Sequence, residues 1–281
     1  MMTAAWHFDD GESGISGDAD QSLPWWSFSK TIIAACSQRL HTEGRLDLDA
    51  SCEGDWTPMQ LLRHDAGAPC YARLKAYHHA VAQREAPWSR ERLMTEVPKE
   101  PLFAPGKGWA YSNIGYLLAR ERIEAAAECD IGTLAGRYFG EGLSTFRLAR
   151  SPSDFAAVPG ADGYHPGWVY HGCFMGTPLD AVRVLSRVLP LLEGAPVIPL
   201  GRPLEGRPWV ETGYGLGVMA GRVEGAGRVV GHSGSGPFSS CAIYRFDGLP
   251  RPVCVATFGT SHDEALPEWA ACRIALAQAV G

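Results

Sequence analysis

Apolar residues recur at every second position at the start of the chain, in Ala4, Trp6 and Phe8. Asp9, Asp10, Gly11, Glu12, Ser13 and Gly14 follow and turn the backbone, which predicts a strand hairpin. From Ser27 to Thr42 the period changes: Ile32, Ile33, Cys36 and Leu40 fall at helical spacing and Gly44 ends the run. Ser27 is therefore expected at a helix N-terminus. Helical patterns continue over Pro58 to Arg63, Tyr71 to Arg84, Ser89 to Glu96, Ile114 to Cys129 and Thr177 to Leu192, separated by Gly- and Pro-rich turns. After Tyr214 the text shifts to β-rich runs at Gly215 to Val223, Arg228 to His232, Ser240 to Phe246 and Val253 to Phe258. An amphipathic helix from Glu264 to Val280 closes the chain. The pattern predicts an α/β (α+β) fold in one domain, with an α/β lobe of about 1–26 plus 205–281 and an inserted helical lobe of about 27–204.

Composition narrows the function classes. At 281 residues and 46% hydrophobic content the chain can bury a sizeable core. A net charge of -6, with the basic residues scattered, offers no stripe for phosphates, so no nucleic-acid partner is expected. No apolar run reaches the eighteen or so residues of a membrane span, and the polar, acidic start lacks the pattern of an export signal. A cytoplasmic protein without membrane contact is expected. Eight cysteines stand singly with no Cys-x-x-Cys, which reads as reduced, mostly buried thiols rather than a zinc or redox motif. The paired His78 and His79, and His165 with His171, lack supporting carboxylate or thiol spacing and read as surface or core residues, so neither metal nor cofactor is expected.

Two rarities mark where chemistry lies: the sequence holds four lysines and a single asparagine, Asn113. In Trp25-Trp26-Ser27-Phe28-Ser29-Lys30, Ser27 and Lys30 lie three apart and share a helix face. A serine hydroxyl attacks only when something takes its proton, and a lysine does so only when burial lowers its pKa. Trp25, Trp26 and Phe28 supply apolar surroundings, and the helix N-terminus supplies oriented N–H groups. Alone the pair is weak, since roughly one such chain in four carries Ser-x-x-Lys by chance. Taken by itself, Ser27 reads better as an N-cap.

A Gly-rich turn leading into a helix, Pro105 to Tyr116, places Asn113 two residues after Tyr111. With nine tyrosines the lone asparagine would meet that spacing by chance in roughly 3% of cases. A phenol can exchange a proton with a leaving group and an amide can orient lysine and substrate. Turn and cap roles remain the plainer alternative. Gly231-His232-Ser233-Gly234-Ser235 ends one β run just before another, where small residues let a substrate pair with a strand edge. His165-Pro166-Gly167 repeats the His-x-Gly triplet, but only His232 closes a β run and follows the other two elements in order.

In that order the three elements resemble the signature set of serine β-lactamases and penicillin-binding proteins, and most closely the class C β-lactamase-like branch with its esterases and D-amino-acid peptidases. Phe28 to Thr31, Glu43 to Asp49, Leu61 to His64, Tyr111 to Tyr116 and His232-Ser233-Gly234 carry the likeness, which spans about residues 20 to 280. The resemblance implies Ser27 as acylated nucleophile, Lys30 as base and Tyr111 as a proton shuttle ionised beside Lys30. It implies Asn113 as orienting group, His232, Ser233 and Gly234 along the substrate edge, and the N–H groups of Ser27 and Ser235 as oxyanion hole. The implied partner is a small ester, D-amino-acid amide or β-lactam, with esterase or peptidase preferred over a protective β-lactamase. The alternative is a binding or sensor protein of the same fold that acylates once or not at all.

Departures from the branch shape further expectations. Only 26 residues precede Ser27, so the N-terminal helix of the family is expected to be missing and the sheet under-covered on one face, with monomer or homodimer open. The short segment Pro159 to Leu204 is expected to leave a wide cleft, and no acidic residue stands as a deacylation base, so turnover would run through Tyr111. Trp168, Tyr170 and Phe174 either line that cleft or pack. Gly231 to Ser235 fails the last glycine of the α/β-hydrolase elbow.

Overall fold

A computed structural model describes residues 2–18, 20–51, 55–201 and 205–279. Strand β1 (Met2–Phe8) turns into β2 (Ser13–Ser16), as the alternation predicts, and short β3 (Leu23–Pro24) leads through a 3-10 turn at Trp26–Phe28 into α1 (Ser29–Thr42). Then follow α2 (Pro58–Arg63), α3 (Lys75–Ala82), α4 (Arg90–Glu96), α5 (Asn113–Ala127), α6 (Ile131–Phe139), β4 (Arg147–Leu148), β5 (Phe174–Gly176) and α7 (Pro178–Leu192). The chain ends in β6 (Ile198–Gly201), β7 (Trp209–Tyr214), β8 (Met219–Val223), β9 (Gly227–Ser235), β10 (Ser240–Phe246), β11 (Val253–Gly259) and α8 (Ala265–Gln278). None of the described helices is long and apolar enough to cross a membrane.

The main sheet is antiparallel with eight strands in the order β2-β1-β11-β10-β9-β8-β7-β6. Its first and last thirds in sequence meet because β1 pairs with β11. Helix α7 packs on β1, β10 and β11 with α1 beyond it, and α8 packs on β10 and β11. Period-2 alternation divides β10 accordingly. Ala242, Tyr244 and Phe246 join Ala271, Cys272 and Ala275 of α8 in one core cluster, while Cys241 and Ile243 join α1 and α7 in the other. Helix α8 thus gives the outer face a buried core, although Trp6 stays only partly buried there. The lobe boundary expected near 205 falls too late, since β6 at 198–201 belongs to the sheet. Tyr71 to Arg84 divides into a 3-10 turn and α3 because Leu74 is extended between them. Seven cysteines are free thiols; Cys52 lies outside the described residues.

Candidate active site

Ser27 is presented by the 3-10 turn rather than by the α-helix proper, and Ser29 is the first residue of α1. Several bonds hold that turn. The Trp25 N–H donates to Phe174 O at 2.8 Å, the Phe174 N–H to Ser29 Oγ at 2.8 Å, and Trp26 Nε1 to Ser239 Oγ at 2.9 Å. Trp26 has φ 42°, a left-handed conformation that costs a non-glycine residue about 1 kcal/mol. Its ring spreads against Phe238 and Tyr164, at 5.2 and 5.9 Å between centroids. Ser27 makes no N-cap contact in this arrangement.

Lys30, one turn on, is fully buried, and its Nζ lies 3.2 Å from Ser27 Oγ. The ring centroids of Tyr111 and Tyr116 stand 4.8 and 5.5 Å from the same nitrogen. Burial lowers its pKa to about 7. The amine is thus available as a base near neutrality.

Tyr111 donates to Ser27 Oγ at 2.9 Å, so the two predicted proton carriers converge on the nucleophile from separate elements. Burial pushes its phenol well above the usual tyrosine range. Tyr111 thus stands as a donor to Ser27 Oγ, and its burial opposes the phenolate that the resemblance implies. Its position comes from the stretch before α5. The Ala110 N–H donates to His64 O at 2.9 Å, the Ser112 N–H to His64 Nδ1 at 3.1 Å, and the Tyr111 and His64 rings lie 4.4 Å apart. Ser112, not Asn113, caps α5, accepting from the Gly115 N–H at 2.9 Å. Asn113 is left to face the cleft, its Oδ1 buried without a hydrogen-bond partner among the described residues.

Strand β9 closes the other side. A Cβ on Gly234 would lie 2.5 Å from Ser27 N, and one on Gly236 2.2 Å from the Trp26 ring, so both glycines permit the strand to touch the nucleophile's turn. The Gly236 N–H donates to Ser239 O at 3.0 Å, which makes 236 and 239 a hydrogen-bonded pair. The adjacent pair Ser235 and Ser240 is then non-hydrogen-bonded, and the Ser235 N–H turns away from β10. Strand β8 pairs with β9 only up to Gly231, so this edge is uncovered beyond it.

Two residues of that motif are not on the substrate edge. Ser233 points to the opposite sheet face, where its Oγ meets Tyr244 OH at 2.7 Å and Glu268 Oε1 at 2.5 Å. His232 points inward but is buried, with Nε2 3.2 Å from Tyr214 OH, and burial lowers its pKa to about 3. It is a neutral wedge behind Tyr111, whose ring lies 6.2 Å away.

A cleft of about 860 Å³ opens beside Ser27, Asn113 and Ser235. Trp26, Tyr164 and Phe238 form one wall, Tyr71, Tyr77 and Trp168 another. Trp168 thus both lines the cleft and packs; Phe174 is buried in β5, stacked on Phe146 at 5.3 Å. Tyr170 packs edge-on against Tyr71. His171 is the residue that sequence reasoning set aside and the fold brings in. It is buried, and its Nε2 lies 3.1 Å from Lys30 Nζ. Its separation of 141 residues from Lys30 leaves no local signal.

Comparison with known proteins follows the same lines. The family described as Beta-lactamase matches residues 1–277. No curated protein matches the sequence. Among solved structures, a D-stereospecific amidohydrolase from Streptomyces sp. is 21% identical over 93% of this chain and 89% of its own, with a TM-score of 0.71. A D-amino acid amidase from Ochrobactrum anthropi SV3, complexed with D-phenylalanine, is 17% identical over 99% and 93%, with a TM-score of 0.74. A penicillin binding protein from Bacillus halodurans is 15% identical over 97% and 95%, with a TM-score of 0.73.

Proposed function

Because the chain belongs to the Beta-lactamase family and is a hydrolase of that kind, we propose that it cleaves a small amide or ester of a hydrophobic D-amino acid through an acyl-enzyme on Ser27. The observation that carries this reading is the convergence of Lys30 Nζ and Tyr111 OH on Ser27 Oγ, at 3.2 and 2.9 Å. Lys30 takes the Ser27 proton as Oγ bonds to the substrate carbonyl carbon. The carbonyl oxygen, now negative, is held by the N–H groups of Ser27 and Ser235. Tyr111 hands a proton to the leaving nitrogen or oxygen and recovers one from Lys30 as the C–N or C–O bond breaks. Water attacks the acyl ester by the reverse proton path, releasing the acid and restoring Ser27. Asn113, with a free Oδ1 at the cleft, fits a substrate N–H donor.

Two features support this substrate class over a lactam. The cleft walls are aromatic, suited to a large apolar side chain. A lactam carries a carboxylate, whereas the β9 motif carries His232, buried and held neutral, rather than a cation. The D configuration is taken from the structural neighbours, a D-stereospecific amidohydrolase and a D-amino acid amidase. Mass spectrometry after a fluorophosphonate should find the adduct on Ser27 and none in Ser27→Ala. Steady turnover of D-phenylalaninamide exceeding that of a penicillin is expected. An adduct at another residue, or full activity in Ser27→Ala, overturns the reading; a single stoichiometric burst would point to the sensor alternative instead.

A further inference from the structure

Lys30 has an unusual set of neighbours for a buried amine. Among the described residues no carboxylate touches it; its polar contacts are Ser27 Oγ at 3.2 Å and His171 Nε2 at 3.1 Å, and the Tyr111 and Tyr116 rings lie beside it. His171 is fixed by the turn ahead of β5, where the Gly172 N–H donates to Val169 O at 2.7 Å and Arg120 of α5 donates to Tyr170 O at 3.4 Å. Its other nitrogen, Nδ1, is buried and has no hydrogen-bond partner among the described residues. Resting on the acyl-enzyme reading above, we propose that His171 is a positioning residue for acylation, which accepts one N–H of Lys30 on Nε2 and so turns the amine's lone pair toward Ser27 Oγ.

The proton count supports this. A neutral amine has two N–H groups and one lone pair. If His171 carried its proton on Nε2, it would occupy that lone pair, and Lys30 could not receive the Ser27 proton. With the proton on Nδ1, Nε2 is an acceptor and the lone pair is left for Ser27. Once the Ser27 O–H bond breaks and its proton joins Lys30, the new ammonium keeps its N–H to Nε2 while the serine oxygen is consumed by the acyl bond. His171 then supplies the polar contact that remains. It does not take the proton, because burial and the Lys30 charge hold its pKa well below the usual histidine value.

The other groups facing Lys30 are Tyr111 just before α5, Tyr116 within it, His64 after α2, His232 on β9, Cys70, Cys173 and, farther off, Glu264. Burial favours the neutral form of both histidines and of both phenols. Among these groups His171 alone makes a hydrogen bond to Nζ besides Ser27.

The test compares wild type, His171→Phe, which keeps the ring without an acceptor, and His171→Gln, whose amide oxygen accepts. Acylation by p-nitrophenyl butyrate, followed against pH, should fall at least about 30-fold in His171→Phe, in kcat rather than KM. Loss of an acceptor for the ammonium should also move the acid midpoint below that of wild type, and His171→Gln should restore both rate and midpoint in large part. A purely structural role would lower the rate and leave the midpoint in place. That outcome, or wild-type acylation in His171→Phe, overturns the proposal. The Lys30 titration is read independently by NMR of protein labelled at the lysine ε-carbon, where four lysines give few signals. If wild type takes no acyl group at all, the hydrolase reading fails, while the NMR midpoints of wild type and His171→Phe still decide whether His171 controls Lys30.

Discussion

Lys30 sets the terms of the chemistry because the fold denies it solvent. Its ammonium is stable in the unfolded chain up to about pH 10.5, and burial lowers the folded value to about 7. Between those limits the unfolded state binds the extra proton, so folding stability rises with pH across that window. At 1.36 kcal/mol per pH unit the lysine costs up to about 5 kcal/mol below pH 7. Lys30→Met should therefore be inactive yet more stable, by about 2–4 kcal/mol in urea unfolding at pH 7. Its advantage should shrink toward pH 10. Equal or lower stability would mean that the site does not desolvate the amine as the structure indicates. The same pKa places the acid limb of kcat/KM near pH 7 in wild type, with activity lost as Lys30 becomes protonated.

Strand β9 shows what sequence can and cannot supply. Its small residues read as room for a substrate at the strand edge, whereas what lies against Gly234 is the Ser27 turn. The three motifs were legible together, because their order along the chain is shared with one family, although Ser-x-x-Lys and His-x-Gly are each common alone. What local text does not carry is facing. A strand alternates sides, so His232 turned inward requires Ser233 turned outward, yet the motif's likeness placed both on the substrate edge. His171 was illegible for another reason: its role exists only where the turn before β5 meets α1. Ser233→Ala tests the facing. It removes a buried hydroxyl bonded to Glu268 and Tyr244, so it should cost about 1–2 kcal/mol in denaturant unfolding. The kcat/KM for an ester should stay within about threefold of wild type. A loss of a hundredfold with unchanged stability would return Ser233 to the cleft.

The sheet and α8 are joined at a buried charge cluster that belongs to the molecule as a whole, since its members come from three elements or connections. Arg207, ahead of β7, meets Glu268 of α8 at 2.7 and 2.8 Å and Glu264, just before α8, at 2.7 and 3.0 Å. Glu268 in turn accepts from Ser233 of β9. The end of β9 that borders the nucleophile is thereby braced from behind by the helix covering the outer face. Glu268 is almost wholly buried, and Arg207 is mostly so. Two carboxylates share one guanidinium, and burial raises the Glu264 pKa despite that partner. Arg207→Met leaves both acids unpaired and should destabilise the protein by about 3–5 kcal/mol at pH 7. The sign with pH follows from Glu264: without the cation its folded pKa rises further above the unfolded one. Stability of Arg207→Met should then fall more steeply than wild type as pH rises, and the deficit should narrow on acidification toward pH 5, where Glu264 binds a proton and no longer needs the guanidinium. Replacing Glu268 by Gln in the same variant should recover part of the loss, because a neutral amide can satisfy Ser233 without a counter-ion. A deficit independent of pH would show that Arg207 acts by packing its stem rather than by neutralising the pair.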